Sequence, residues 1–347
     1  MSSHYPISRP HRDCRGFSLV EMMVAMVITL ILLAGIAQIF QSSKKSFTIQ
    51  DSLGRIQENG RYALETVVTD LRRAGYWGGN SDITDIGGTE DVLPETGDCT
   101  STDTLWATRL DRRIYGKNDS KTDGEGAYDC IPATYVRGDV LVTRYMAPWL
   151  IGGLTTDANY MANNEDLYFL RASLFRGALF KGTDEALADN DVTGATVRTA
   201  ELVARAYYIG TSGTSGTCPA DGQVPSLYRR ILINDDSGGA DPLLSQEEVA
   251  HGVDHLQVQY GVDTDDDGAI DQYLNAGDGG LDSTDEWNQV IAARVWLLVR
   301  AECPETGYTN DNTYAMGDVN YTPADTAGRG YRRQLYTATV FLRNSAN

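Results

Sequence analysis

Arg15-Gly16-Phe17-Ser18-Leu19-Val20-Glu21 leads without a break into Met22-Met23-Val24-Ala25-Met26-Val27-Ile28-Thr29-Leu30-Ile31-Leu32-Leu33-Ala34-Gly35-Ile36-Ala37. A basic leader thus meets an apolar run of about 20 residues, enough at ~1.5 Å per residue for a helix to cross a bilayer. Within that run stands one carboxylate, Glu21, four residues past Phe17. A charge in a membrane span costs roughly 2.5–3.5 kcal/mol at the helix centre and less near its end, and it signals function. Its natural partner is a positive charge at the same depth, yet the run contains no Lys or Arg. Cutting the chain after Gly16 would supply one, the free α-amino group of Phe17.

Gly16-Phe17-Ser18-Leu19-Val20-Glu21 followed by an apolar run resembles the processing and methylation signature of type IV prepilins and of the related type II secretion pseudopilins. The resemblance implies a prepilin peptidase that cuts after Gly16 and methylates Phe17, with Glu21 becoming the fifth residue of the mature chain. Two further blocks resemble the PilW group of minor type IV pilins. One is Glu58-Asn59-Gly60-Arg61-Tyr62-Ala63-Leu64 with Asp70-Leu71-Arg72-Arg73-Ala74-Gly75-Tyr76, and the other is the carboxy-terminal Arg332-Arg333-Gln334-Leu335-Tyr336-Thr337-Ala338-Thr339-Val340-Phe341-Leu342-Arg343-Asn344. The likeness covers the first 76 residues and, beyond Val249, only pieces. The J-type minor pseudopilins share the amino-terminal logic but are generally shorter, so a length of 347 residues favours a pilin.

Arg9, Arg12 and Arg15 keep the leader cytoplasmic by the positive-inside rule, against the weaker opposition of Lys44 and Lys45 beyond the span. The expected location is the inner membrane, crossed once with the carboxy-terminal domain in the periplasm, followed by the pilus surface. With 29 Lys+Arg against 48 Asp+Glu the net charge is −19, which argues against a nucleic-acid partner.

From Ser42 to Ala74 a helical period continues: Leu53, Ile56, Gly60, Ala63, Val67, Leu71 and Ala74 recur at steps of three and four. Arg72, Arg73 and Gly75 supply a stop. Span and stripe together predict one helix of roughly 55 residues, with Gly35, Gly54 and Gly60 as points where it kinks or loosens. Beyond Tyr76 the pattern turns to short strands, predicted at Asp139–Tyr145, Leu167–Leu170, Glu201–Ile209, Ser226–Ile233, His255–Tyr260, Val290–Arg300 and Leu335–Leu342. The fold class that follows is α+β, a long helix on an antiparallel sheet. The predicted divisions are a cleaved leader at 1–16, a membrane and filament-core half-helix at 17–40, an amphipathic half-helix at 41–76, and a β-rich domain at 77–347.

Asp263-Thr264-Asp265-Asp266-Asp267-Gly268-Ala269-Ile270-Asp271 places oxygen ligands at alternate positions and glycine at the sixth, the opening of a calcium loop. Asp263, Asp265, Asp267 and Asp271 would give carboxylates and Ala269 its carbonyl. The twelfth position holds Leu274 instead of a bidentate Glu, leaving Asp278, Asp282 or Asp285 to complete the shell. The alternative is a solvated acidic turn between two strands. Cys14 leaves with the leader, so Cys99, Cys130, Cys218 and Cys303 remain to form two disulfides, the favoured pairing being Cys99–Cys130 with Cys218–Cys303. Catalysis is not expected. His251 and His255 are four apart across Gly252 at the start of a strand, and Gly177-Ala178-Leu179-Phe180-Lys181-Gly182-Thr183 has the composition of a phosphate loop without its order.

The function expected from the resemblance is a minor type IV pilin required for pilus assembly, near the filament tip. Its partners would be other minor pilins, the major pilin and a tip-associated adhesin. The alternatives are a minor pseudopilin of type II secretion, or a membrane-anchored, calcium-binding adhesive module that never polymerises.

Overall fold

The computed structural model describes residues 16–80, 83–88, 104–118, 131, 134–148, 160–161, 163–184, 192, 197–212, 224–237, 239, 241–279, 281, 283–323 and 326–344. The chain divides into two compact units, Met1–Asp51 and Ser52–Asn347. Helix α1 runs Leu19–Arg73, 55 residues, matching the length expected from the sequence.

In the first unit the described residues are helical from Leu19 onward, and their apolar side chains are exposed, Phe17 at 87% and Phe40 at 69% among them. This stretch is long and apolar enough to cross a membrane.

In the second unit the helical stripe is buried as its period requires. Ile56, Gly60, Ala63, Val67, Val68, Asp70 and Leu71 face inward. Gly60 lies within unbroken helix. It is a point of close approach, where a Cβ would lie 2.2 Å from Cε2 of Tyr336, whose hydroxyl donates to the Ile56 carbonyl at 3.2 Å. Beyond Arg73 the chain turns through Gly75 at φ 76°, and Asn344 Nδ2 donates to the carbonyls of Arg73 and Ala74 at 3.3 and 3.2 Å. The last described residue thereby satisfies carbonyls that a helix end leaves open.

Among the described residues fourteen strands follow: β1 (Ile86–Gly88), β2 (Ile114–Lys117), β3 (Tyr135–Met146), β4 (Tyr168–Ala172), β5 (Gly177–Lys181), β6 (Arg198–Thr211), β7 (Pro225–Ile233), β8 (Leu243–His251), β9 (Val253–Val262), β10 (Gln272–Leu274), β11 (Val290–Arg300), β12 (Tyr314–Met316), β13 (Val319–Tyr321) and β14 (Arg333–Phe341). The larger sheet runs β1-β5-β4-β6-β3-β2, with β7 on β6 and β8 on β7, and the smaller runs β10-β9-β11-β14. Pairing is antiparallel except that β1 lies parallel to β5. A one-turn helix α2 (Thr284–Asn288), held by a Ser283–Glu286 capping box, leads into β11.

One core cluster takes residues from the helix and from both sheets: Val67 and Leu71 of α1, Leu141, Tyr207 and Leu227 of the larger sheet, and Leu256, Val258, Val295 and Val340 of the smaller. Two buried carboxylates fix this arrangement. Asp139 Oδ2 of β3 accepts the Val258 N–H of β9 at 2.7 Å. Asp70 of α1, 1% exposed, accepts Tyr145 Oη at 2.8 Å, the Tyr207 hydroxyl, and Arg205 Nη1 on both oxygens at 2.8 Å.

Beside Asp139, Gly138 has φ 82°, and a Cβ there would sit 2.6 Å from the Leu256 carbonyl oxygen. Backbone cannot give way as a side-chain tip can. Gly138→Ala is therefore expected to lower stability by roughly 2 kcal/mol or more, read as a lowered denaturation midpoint of the detergent-solubilised chain.

Candidate functional site

At the amino-terminal site, residues 16–18 are not helical, and α1 opens at Leu19 with Ser18 as its cap. Glu21 Oε2 accepts the Ser18 N–H at 3.0 Å, and Ser18 Oγ accepts the Val20 N–H at 3.3 Å. Met22 N–H donates to the Ser18 carbonyl at 3.1 Å, closing the first helical turn. Ser18 thus caps the helix through the second helical N–H while Glu21 reaches back to the cap's own N–H, and an acid in the first turn also meets the positive end of the helix dipole. The structure thus places the bond following Gly16 in exposed, non-helical chain, with the Glu21 carboxylate folded back to within one residue of Phe17. The Ser-x-x-Glu signal for this cap was present in the sequence and passed over beside the stronger processing motif.

At the second candidate, Asp263 to Asp271 forms the turn joining β9 to β10. Asp263, Asp265 and Asp267 each bring a carboxylate oxygen into a group whose members lie within 4.8 Å of one another. Backbone bonds wrap the loop around Asp263, which accepts Asp267 N–H at 3.2 Å and Gly268 N–H at 2.8 Å. Asp266 and Gly268 adopt left-handed φ of 58° and 84°, so the sixth position does supply the sharp turn. Asp271 is not in the trio: its Oδ2 takes Thr264 N–H at 2.8 Å and Thr264 Oγ1 at 2.5 Å.

The electrostatics follow. Asp267 first and then Asp271 push the Asp265 carboxyl above its ordinary pKa, whereas the Thr264 bonds hold Asp271 below its own. Of the residues considered for the open shell, Asp278 binds Asn275 at 2.8 Å and Asp285 sits in the first turn of α2. Asp282 lies outside the described residues. Each carboxylate of the trio retains lone pairs beyond those used by backbone donors, so an oxygen-seeking divalent ion fits the donor set.

The remaining residues singled out in the sequence do not converge. His251 Nδ1 lies 3.0 Å from Glu248 Oε1 at the end of β8. His255 is buried on β9 with its ring 4.3 Å from that of Tyr321. Gly177–Lys181 is strand β5. Cys303 is disulfide-bonded, while Cys14, Cys99, Cys130 and Cys218 lie outside the described residues.

The comparisons with known proteins bear on the first site. Residues 11–37 match the family model described as the prokaryotic N-terminal methylation motif, which spans Gly16, Phe17 and Glu21. Residues 206–344 match the model described as type IV pilus-assembly protein W. The two matches make the chain similar to type IV minor pilins of the PilW group over its amino-terminal segment and its carboxy-terminal strands, together less than half of its length. The PilW-like part of the chain begins at β6, upstream of the Val249 limit at which the sequence resemblance could be followed. No curated protein matches the chain. Among solved structures it is similar to a type IV-like pilin from Thermus thermophilus, at 15% identity and a TM-score of 0.27, covering 62% of this chain and 82% of that one.

Proposed function

We propose that this chain is a minor pilin cut after Gly16 and methylated on Phe17, and that Glu21 then pairs with a Phe17 ammonium, its own or a neighbour's, as the subunit docks into a filament. The methylation-motif match lying on a carboxylate already folded toward the scissile bond is the observation that carries this reading. In a low-dielectric filament core the pair aligns one subunit against the next, although much of its Coulomb gain offsets desolvation. The partners that follow are the prepilin peptidase, other minor pilins, the major pilin and a tip-associated adhesin, and the position is at or near the tip. The apolar half-helix anchors the chain in the inner membrane before assembly. Intact-mass measurement on protein from its native host is the test. A mature chain beginning at a singly methylated Phe17 is expected, and an unprocessed amino terminus would overturn the scheme.

The acidic turn is the proposed calcium site, held by Asp263, Asp265 and Asp267 with the Ala269 carbonyl, and with Asp271 joining through the oxygen that Thr264 does not hold. The ion neutralises carboxylates that otherwise repel, and so orders the β9–β10 turn. Asp265 has a raised pKa because ionisation in the folded loop is opposed by its neighbours. That contribution favours the fold below the ordinary carboxylate pKa and is lost as pH rises through the raised value, where calcium restores it. Titration of the full chain with calcium should release heat, and the Asp265→Ala, Asp267→Ala double variant should release none. Equal heats from the two proteins would remove the site.

A further inference from the structure

We propose that Ser18 and Glu21 are positioning residues for the processing reaction, because the cap they form keeps the scissile Gly16 carbonyl out of the helix. This rests on the processing reading above. In a helix continued toward the amino terminus, the Val20 N–H would donate to the carbonyl four residues back, which is that of Gly16. Here Ser18 Oγ takes the Val20 N–H instead, at 3.3 Å, and Glu21 Oε2 takes the Ser18 N–H at 3.0 Å. The two side chains occupy donors that would otherwise draw the chain upstream of Ser18 into the helix. Gly16, itself a poor helix former, and the exposed Phe17 are left outside the helix.

Hydrolysis needs that freedom. Water attacks the Gly16 carbonyl carbon, the bond to the Phe17 nitrogen breaks, Gly16 leaves as a carboxylate, and the departing nitrogen takes up protons to become an ammonium. A carbonyl tied into a helical ladder is screened by the turn above it and cannot lie in an extended cleft. The same cap holds the Glu21 carboxylate one residue from the new ammonium, so the docking pair is in place when the bond breaks.

The test follows cleavage of the full-length chain by purified prepilin peptidase in detergent, using intact mass over time. Loss of an N-cap is worth about 1 kcal/mol, or about fivefold. Ser18→Ala is expected to lower kcat/KM about fivefold. Ser18→Asn caps a helix without a hydroxyl, Glu21→Gln completes a capping box without a charge, and both should cleave within about twofold of the parent chain. Infrared spectroscopy of a 13C-labelled Gly16 carbonyl should move to a helical frequency in Ser18→Ala alone. Wild-type cleavage of Ser18→Ala would overturn the proposal. Slow cleavage of Ser18→Asn would also overturn it, since it would assign the hydroxyl to a direct contact with the peptidase. A parent chain left uncut would instead sink the processing reading itself.

Discussion

Asp70→Ala is expected to cost the globular unit about 3–5 kcal/mol, the usual effect of removing one member of a buried charge pair. The carboxylate is 1% exposed and is the shared acceptor for Arg205, Tyr145 and Tyr207. Its removal takes from a guanidinium and two phenols of the larger sheet the acceptor they share on the helix. Melting of the detergent-solubilised chain should fall by roughly 6–15 °C. Asp70→Asn should fall between, because an amide oxygen can still accept one hydroxyl but cannot balance the Arg205 charge.

The same cluster sets an alkaline limit. Burial first, and the Asp70 charge second, raise the pKa of both the Tyr145 and the Tyr207 hydroxyl above the ordinary 10.0. A raised tyrosine pKa means stability that is complete below the unfolded value and declines above it, so unfolding should ease from about pH 10 upward. Tyr207→Phe should blunt that slope, and an unchanged slope would exclude Tyr207 from the cause.

The second large effect concerns assembly. Glu21→Gln preserves the geometry of the cap and deletes the charge, so the chain should be processed normally yet be nearly lost from sheared pili. Glu21→Ala should be lost as well, and because it also removes half of the cap its cleavage should be slowed, though not abolished. Gly16 replacements should block cleavage and so deny Glu21 its ammonium. Normal incorporation of an uncut Gly16 variant, detected by mass spectrometry of purified filaments, would refute the pairing.

These effects differ in how openly the sequence announced them. The 3.6-residue stripe from Leu53 to Ala74 is long and regular, so the helix could be read to within a few residues at either end. Strand β11 announced itself by a nearly continuous apolar run, and β9 by the alternation of Leu256, Val258 and Tyr260 with Gln257 and Gln259. Strand β8 did not. Its Ser245-Gln246-Glu247-Glu248 centre is largely polar, because it forms an edge of the larger sheet and pairs only with β7. Strand β5 was obscured by glycines that mimic a phosphate loop. Asp70 lay in plain view at stripe spacing from Val67 and Ala74. Its role depends on Arg205 and Tyr207, more than 130 residues away, and no local pattern reports a partner so distant. The acidic turn was legible as a ligand series, whereas the diversion of Asp271 to Thr264 was not, since both orientations suit the same letters.

The Asn344 contact with the end of α1, spanning 271 residues, has a kinetic consequence. The stripe from Ile56 to Leu71 leaves the ribosome well before β14, which covers part of it and follows more than 250 residues later in the chain. At roughly 5–20 residues per second the nascent chain carries that stripe incompletely sheltered for about 15–50 s. Over that interval it is a natural client for a holding chaperone, and slow codons near the carboxy terminus should lengthen the exposure and lower the yield.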